Sequence, residues 1–186
     1  ENDGRDLFET FPYVQKKAIR KARKNNIEIT CVESKKNWDQ YYQMYIETIE
    51  RWKEKKLRVN NVYPKKIFDN IHKLDCQYRK LWVAKYNGDI VSGVICFYWN
   101  KHAVAWHGAA LESYFKFRPN NILYYEMILD SLKGQYAYFD LNPCGGIPGV
   151  IKFKENLGAK PRNCGKFVQW SLSRNALNFC RGVIKN

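Results

Sequence analysis

The stretch Ile90-Val91-Ser92-Gly93-Val94-Ile95-Cys96-Phe97-Tyr98-Trp99 constrains the fold more than any other part of the chain. It carries no charge and is rich in β-branched and aromatic residues, so it reads as a strand with no face left for water. Such a strand needs a covering layer on each side. Asn87-Gly88 before it is a two-residue hairpin turn, and Asn100-Lys101 after it is a second turn. With apolar runs at 81–86 and 103–111 the spacing predicts a three-stranded antiparallel meander inside a layered α/β domain.

The layers are supplied by helical patterns. Residues 13–25 set Val14, Ala18, Ile19 and Ala22 among Lys16, Lys17, Arg20, Lys21, Arg23 and Lys24, a basic amphipathic helix. Ile27, Ile29 and Cys31 then alternate as a half-buried strand. Trp38, Tyr41, Tyr42, Tyr45, Ile46, Ile49 and Trp52 recur at helical spacing behind Asn37, which serves as N-cap, and this aromatic stripe is assigned to the core. Pro64 opens a shorter helix through Leu74. Asn120 or Asn121 caps another, carrying Ile122, Leu123, Tyr125, Ile128, Leu129 and Leu132 and stopped by Gly134.

The chemistry-bearing pattern lies downstream. Residues 136–141 read as a short buried strand ending at Asp140, followed by the turn Asn142-Pro143-Cys144-Gly145-Gly146 and a helix from Pro148 to the stop at Gly158. On that helix Val150, Ile151, Phe153 and Leu157 share an arc, and Lys154 falls inside it, about 40° from Val150 at roughly 100° per residue. Lys152 and Glu155 point away. An ammonium on the inner side either snorkels along the core edge or is poised for chemistry. Open α/β sheets take ligands beyond the carboxyl ends of their strands, where this turn sits. A final strand is expected at 167–172 and a helical tail after it.

The net charge of +14 over 186 residues points to polyanionic partners such as RNA, a phosphorylated carrier or an anionic membrane surface. The six cysteines form no C-x-x-C pair, so neither a disulfide framework nor a zinc site is indicated and no metal is expected. No apolar stretch reaches membrane-span length and residues 1–5 are unlike a signal peptide, which sets the expectation of a soluble, cytoplasmic protein. The length suits one core, divided as a basic helical segment (1–26), a main domain (27–174) and a tail (175–186).

Three stretches, 17–27, 118–126 and 138–161, resemble in order and spacing the GNAT acyltransferase fold, and specifically the FemABX aminoacyltransferases and related acetyltransferase-type domains. The resemblance implies a mixed central sheet of about six to seven strands with helices on both faces. Proteins of the FemABX kind hold two GNAT-like lobes, and this chain looks like the second alone, which implies a missing N-terminal lobe or a homodimer to complete the acceptor cleft. The resemblance sets Phe153-Lys154 at the family's Phe-Lys pair, where the lysine supports charge in the acyl-transfer intermediate and Phe153, with Asn142, lines the substrate site.

The implied activity is transfer of an acyl or aminoacyl group to an amine, such as a peptide or peptidoglycan amine. The alternative is a non-catalytic lobe binding RNA or a phosphorylated carrier. Lys154 would stabilise the oxyanion. Asp140 and His107 are the candidate bases, each with a plain alternative as turn-former and packed histidine. Lys116, Arg118, Asn120 and Asn121 would hold the donor's phosphates at a helix N-terminus. Residues 116–121 lack the glycines that usually wrap the pyrophosphate of acyl-CoA, so aminoacyl-tRNA stays open as the donor beside acyl-CoA. The basic helix either contacts RNA phosphates or is a solvated connector.

Overall fold

A computed structural model describes residues 4–56 and 62–163. The helices are α1 (Gly4–Thr10), α2 (Tyr13–Lys24), α3 (Lys35–Glu54), α4 (Lys65–His72), α5 (Pro119–Lys133) and α6 (Pro148–Asn156). The strands are β1 (Glu28–Val32), β2 (Arg79–Tyr86), β3 (Asp89–Trp99), β4 (His102–Ala110) and β5 (Tyr138–Asp140), and a 3-10 turn spans Glu112–Phe117. They form one five-stranded sheet in the order β1-β2-β3-β4-β5, antiparallel except for the parallel β4–β5 pair. Among the described residues the sheet is therefore smaller than the six to seven strands expected. The expected strand at 167–172 and the tail lie outside the described residues.

The meander forms as its sequence requires, with β3 buried over most of its length. Side chains alternate across the pleat, so Leu81, Val83 and Ile95 enter one core and Trp82, Val94 and Cys96 the other. The first core is closed by α3 and α4 through Trp38, Tyr41, Tyr45 and Phe68. The second is closed by α2 and α5 through Ile19, Ala22, Leu123 and Met127. Helices thus cover both faces, and the aromatic stripe of α3 is core.

Local departures have local causes. Ser34, not Asn37, caps α3: its hydroxyl accepts the Asn37 backbone N–H at 3.3 Å. On α2 the inward stripe is Gln15, Ile19 and Ala22, while Val14 is exposed. Gln15 can be buried because Asn121 satisfies it: Asn121 Nδ2 donates to Gln15 Oε1 at 2.7 Å, and Gln15 Nε2 donates to the Asn121 carbonyl at 3.3 Å. Helix α5 starts at Pro119, with Arg118 at the cap in the left-handed region (φ 65°), so neither Asn120 nor Asn121 is the cap. β5 is not a buried strand: Tyr138 is 64% exposed.

Gly93 is required by a close approach. A Cβ there would lie 2.8 Å from Cδ2 of the fully buried Tyr41 and 3.2 Å from the Trp82 carbonyl. Gly93→Ala is expected to cost about 1–3 kcal/mol by overpacking, read as a lower denaturant midpoint. An unchanged midpoint would mean that Tyr41 is free to move.

Candidate functional site

The parallel pairing of β4 and β5 covers only His102–Tyr138, Ala103–Phe139 and Val104–Asp140. β5 ends there, and just beyond it β4 carries a bulge against β3: Ile95 pairs with His107 and Cys96 with Ala105, leaving Trp106 as the extra residue. The bulge also breaks the alternation. Trp106 and His107 both turn toward the α3–α4 layer, where each ring meets Phe68 and Tyr63.

The turn after β5 bonds back to β4. Asn142 is left-handed (φ 58°), its backbone N–H donates to Asp140 Oδ1 at 2.7 Å, and its side-chain amide donates to the carbonyls of Ala105 (3.3 Å) and Trp106 (3.0 Å). Its own carbonyl accepts the Lys154 ammonium at 2.6 Å. Lys154 is half-buried, and burial lowers its pKa against the opposing pull of Cys144 and Asp140. A cation is thus fixed at the turn where β5 ends, with no further hydrogen bond from it among the described residues. Phe153 packs edge-on against Tyr124 of α5 at 5.3 Å, and Leu157 is buried, whereas Ile151 faces solvent. The inner arc of α6 is therefore narrower than its sequence implies.

Asp140 is about half exposed, with His102 Nε2 3.7 Å from its Oδ2. His107 lies elsewhere. Tyr41 Oη is 2.7 Å from His107 Nδ1 and 2.8 Å from the His107 carbonyl. A hydroxyl has one proton, so both contacts are satisfied when Tyr41 donates to the carbonyl and Nδ1–H donates back to Tyr41. That leaves the lone pair on Nε2. Tyr45 at 4.5 Å and Phe68 at 5.2 Å close around the ring, and burial pushes its pKa down to about 4. The structure links Asp140, Asn142 and Lys154, sets Phe153 against Tyr124, and encloses His107 in the aromatic box of the α3–α4 layer.

The candidate donor residues divide similarly. Lys116 and Arg118 are exposed beside the first turn of α5. The side chains of Asn120 and Asn121 are engaged internally, Asn120 accepting from Ser92 and Asn121 bonded to Gln15. Sequence reading missed Tyr41 as the partner of His107; a tyrosine within an apolar helical stripe carries no mark of what its hydroxyl meets. Among the described residues no cluster of three or more His, Cys, Asp or Glu side chains suits a metal ion, and no helix is long and apolar enough to cross a membrane.

Residues 13–155 match the family described as "Acetyltransferase (GNAT) domain". Among solved structures, the chain is similar to FemX at 12% identity and TM-score 0.65, covering 84% of this chain and 56% of that one. It thus spans little more than half of the FemX chain. It is also similar to a transcriptional regulator from Bacillus halodurans C-125 (17% identity, TM-score 0.59, 78% of this chain and 100% of that one). A third similar structure is the ribosomal-protein-S18-alanine N-acetyltransferase from Escherichia coli (13% identity, TM-score 0.56, 71% and 76%). At such identities the likeness concerns the fold. No curated protein matches the sequence.

Proposed function

Because the chain belongs to the acetyltransferase (GNAT) domain family, we propose that it transfers an acyl or aminoacyl group to an amine, with Lys154 as the cation that meets the developing oxyanion. The observation that carries this reading is the Lys154 ammonium on the Asn142 carbonyl, half-buried at the turn that follows β5. The amine nitrogen would attack the donor carbonyl, forming a C–N bond and a tetrahedral intermediate whose negative oxygen a fixed donor stabilises. Collapse breaks the bond to the leaving sulfur or oxygen, which takes up a proton, while the nitrogen gives one to a base. Asp140 and the neutral His107 are the bases this reading offers. Phe153 and Asn142 would line the acceptor side.

For the donor, Lys116 and Arg118 with the N-terminus of α5 would meet phosphates. Arg118 takes a left-handed backbone without the help of glycine, and residues 116–121 contain none. That favours aminoacyl-tRNA, to which the exposed Lys17, Lys21 and Lys24 of α2 would add phosphate contacts, over acyl-CoA. The acceptor class we infer is a peptide or cell-wall amine, in a cleft that a second lobe or a second copy completes.

Thermal unfolding with acetyl-CoA and, separately, with charged tRNA tests the donor. The donor is expected to raise the melting temperature, by about 2.7 kcal/mol of added stability at 100-fold excess over Kd. Mass spectrometry should then find the acyl group on an added amine panel. A shift without transfer would leave a binding lobe for RNA or a phosphorylated carrier, and no shift with either would reject the proposal.

A further inference from the structure

The parallel strands β4 and β5 leave the Lys154 turn at one end and begin at a different recess at the other. Here β3 turns into β4 and α5 ends, and a cavity of about 470 Å³ opens to solvent. Its walls are aromatic. Tyr78 and Trp99 meet at 5.2 Å with a 59° angle between planes, and Tyr98 and Tyr136 meet at 5.2 Å with 60°. Trp99 is 69% exposed, a large surface for a free indole to offer to water.

The polar part of the wall is made of amides. Gln77, Asn100 and Gln135 line the cavity, with Lys101 as the one cation and no carboxylate in the lining. Gln77 gives its Nε2 to Asp75 at 3.2 Å, which leaves its carbonyl oxygen as an acceptor. The side chains of Asn100 and Gln135 make no hydrogen bond among the described residues, so each keeps both donors and acceptors. The rim is fixed by backbone bonds: Tyr98 N–H donates to the Tyr78 carbonyl at 2.9 Å, Ala137 N–H to that of Lys101 at 2.8 Å, and Tyr136 N–H to that of Ser131 at 3.0 Å. A preformed wall loses little freedom on binding.

From these features we infer that this recess is a saccharide-binding site, taking one or two neutral pyranose rings. A pyranose presents C–H groups on its faces and hydroxyls on its rim. The C–H faces suit Trp99 and Tyr78, and each hydroxyl, both donor and acceptor, matches an amide that is also both. The tilt of about 60° within each ring pair suits a puckered ring better than a flat base, which stacks on parallel planes. With a single cation, Lys101, among amides and aromatic rings, the lining offers mainly hydrogen bonds and ring faces rather than paired charges.

The test is titration of the full chain with maltose, cellobiose and N-acetylglucosamine, followed by tryptophan fluorescence and by saturation-transfer NMR, with adenosine as the flat competitor. At least one sugar is expected to bind saturably with Kd on the order of 1 mM. Trp99→Ala, at an exposed position, should leave the circular dichroism spectrum unchanged and weaken binding by about tenfold or more, and Asn100→Ala should weaken it by a smaller factor. No saturation with any of the three sugars, binding indifferent to Trp99→Ala, or tighter binding of adenosine would each overturn the assignment. None of these readouts depends on acyl transfer.

Discussion

Lys154→Met is expected to lower acyl transfer by about 100- to 1000-fold while leaving the fold intact, the loss typical of removing one donor to an oxyanion. Methionine keeps the length and apolar stem of lysine, so contacts along the α6 stem survive and only the ammonium goes. Its bond to the Asn142 carbonyl is lost, but so is the cost of holding a half-buried charge, and the net stability change should stay within about 1 kcal/mol. Lys152→Met is the matched control. Lys152 lies on the same helix, faces solvent, and meets Glu155 at 3.5 Å, so its loss should leave the rate unchanged. The protonated amine is the active form and burial depresses its pKa, so the rate should fall with rising pH earlier than an ordinary lysine would dictate. Steady-state rates for both variants across neutral to alkaline pH check this; equal effects of the two substitutions would remove Lys154 from the mechanism.

What could be read from the sequence was what local chemistry settles. The meander is announced by Asn87-Gly88 and an uncharged middle strand, and the strand-turn-helix around Lys154 by Asp140, Gly145-Gly146, Pro148 and Gly158. What escaped depends on partners distant along the chain. Gln15 rather than Val14 faces inward because Asn121, 106 positions away, completes its hydrogen bonds. The cap of α3 moved from Asn37 to Ser34 because both are good capping residues and only backbone geometry chooses between them. The bulge at Trp106 leaves no trace in composition, yet it turns His107 to the α3 side, alongside Trp106. A strict alternation would have misassigned the face of one of those two residues.

His107 gives the second large effect, visible in stability before any substrate is known. Burial lowers its pKa to about 4 from 6.5, so between these values the unfolded chain holds a proton that the folded one lacks. Stability therefore rises with pH through that window: it is fully present above about 6.5 and lost as pH falls toward 4, with a slope of at most about 1.4 kcal/mol per pH unit from this group. His107→Phe fills the same aromatic box without a titrating group, and should lose that slope. The ion-paired carboxylates Asp39, Asp69, Glu9 and Glu112, all with lowered pKa, destabilise both proteins at lower pH and cancel in the difference. Denaturant midpoints from pH 7.5 to 4.5 measure it, and parallel curves for the two proteins would contradict the buried neutral ring. Two-bond ¹H–¹⁵N spectra should report the Nδ1–H tautomer, and Tyr41→Phe should release it by removing the hydroxyl that bonds both Nδ1 and the carbonyl. A ring held neutral keeps its Nε2 lone pair throughout the physiological range, and its lowered pKa makes it a weak proton acceptor there. If it serves the acceptor amine, the acid limb of kcat/KM will fall well below pH 6.5 and vanish in His107→Phe; a limb unchanged in the variant would remove His107 from the mechanism.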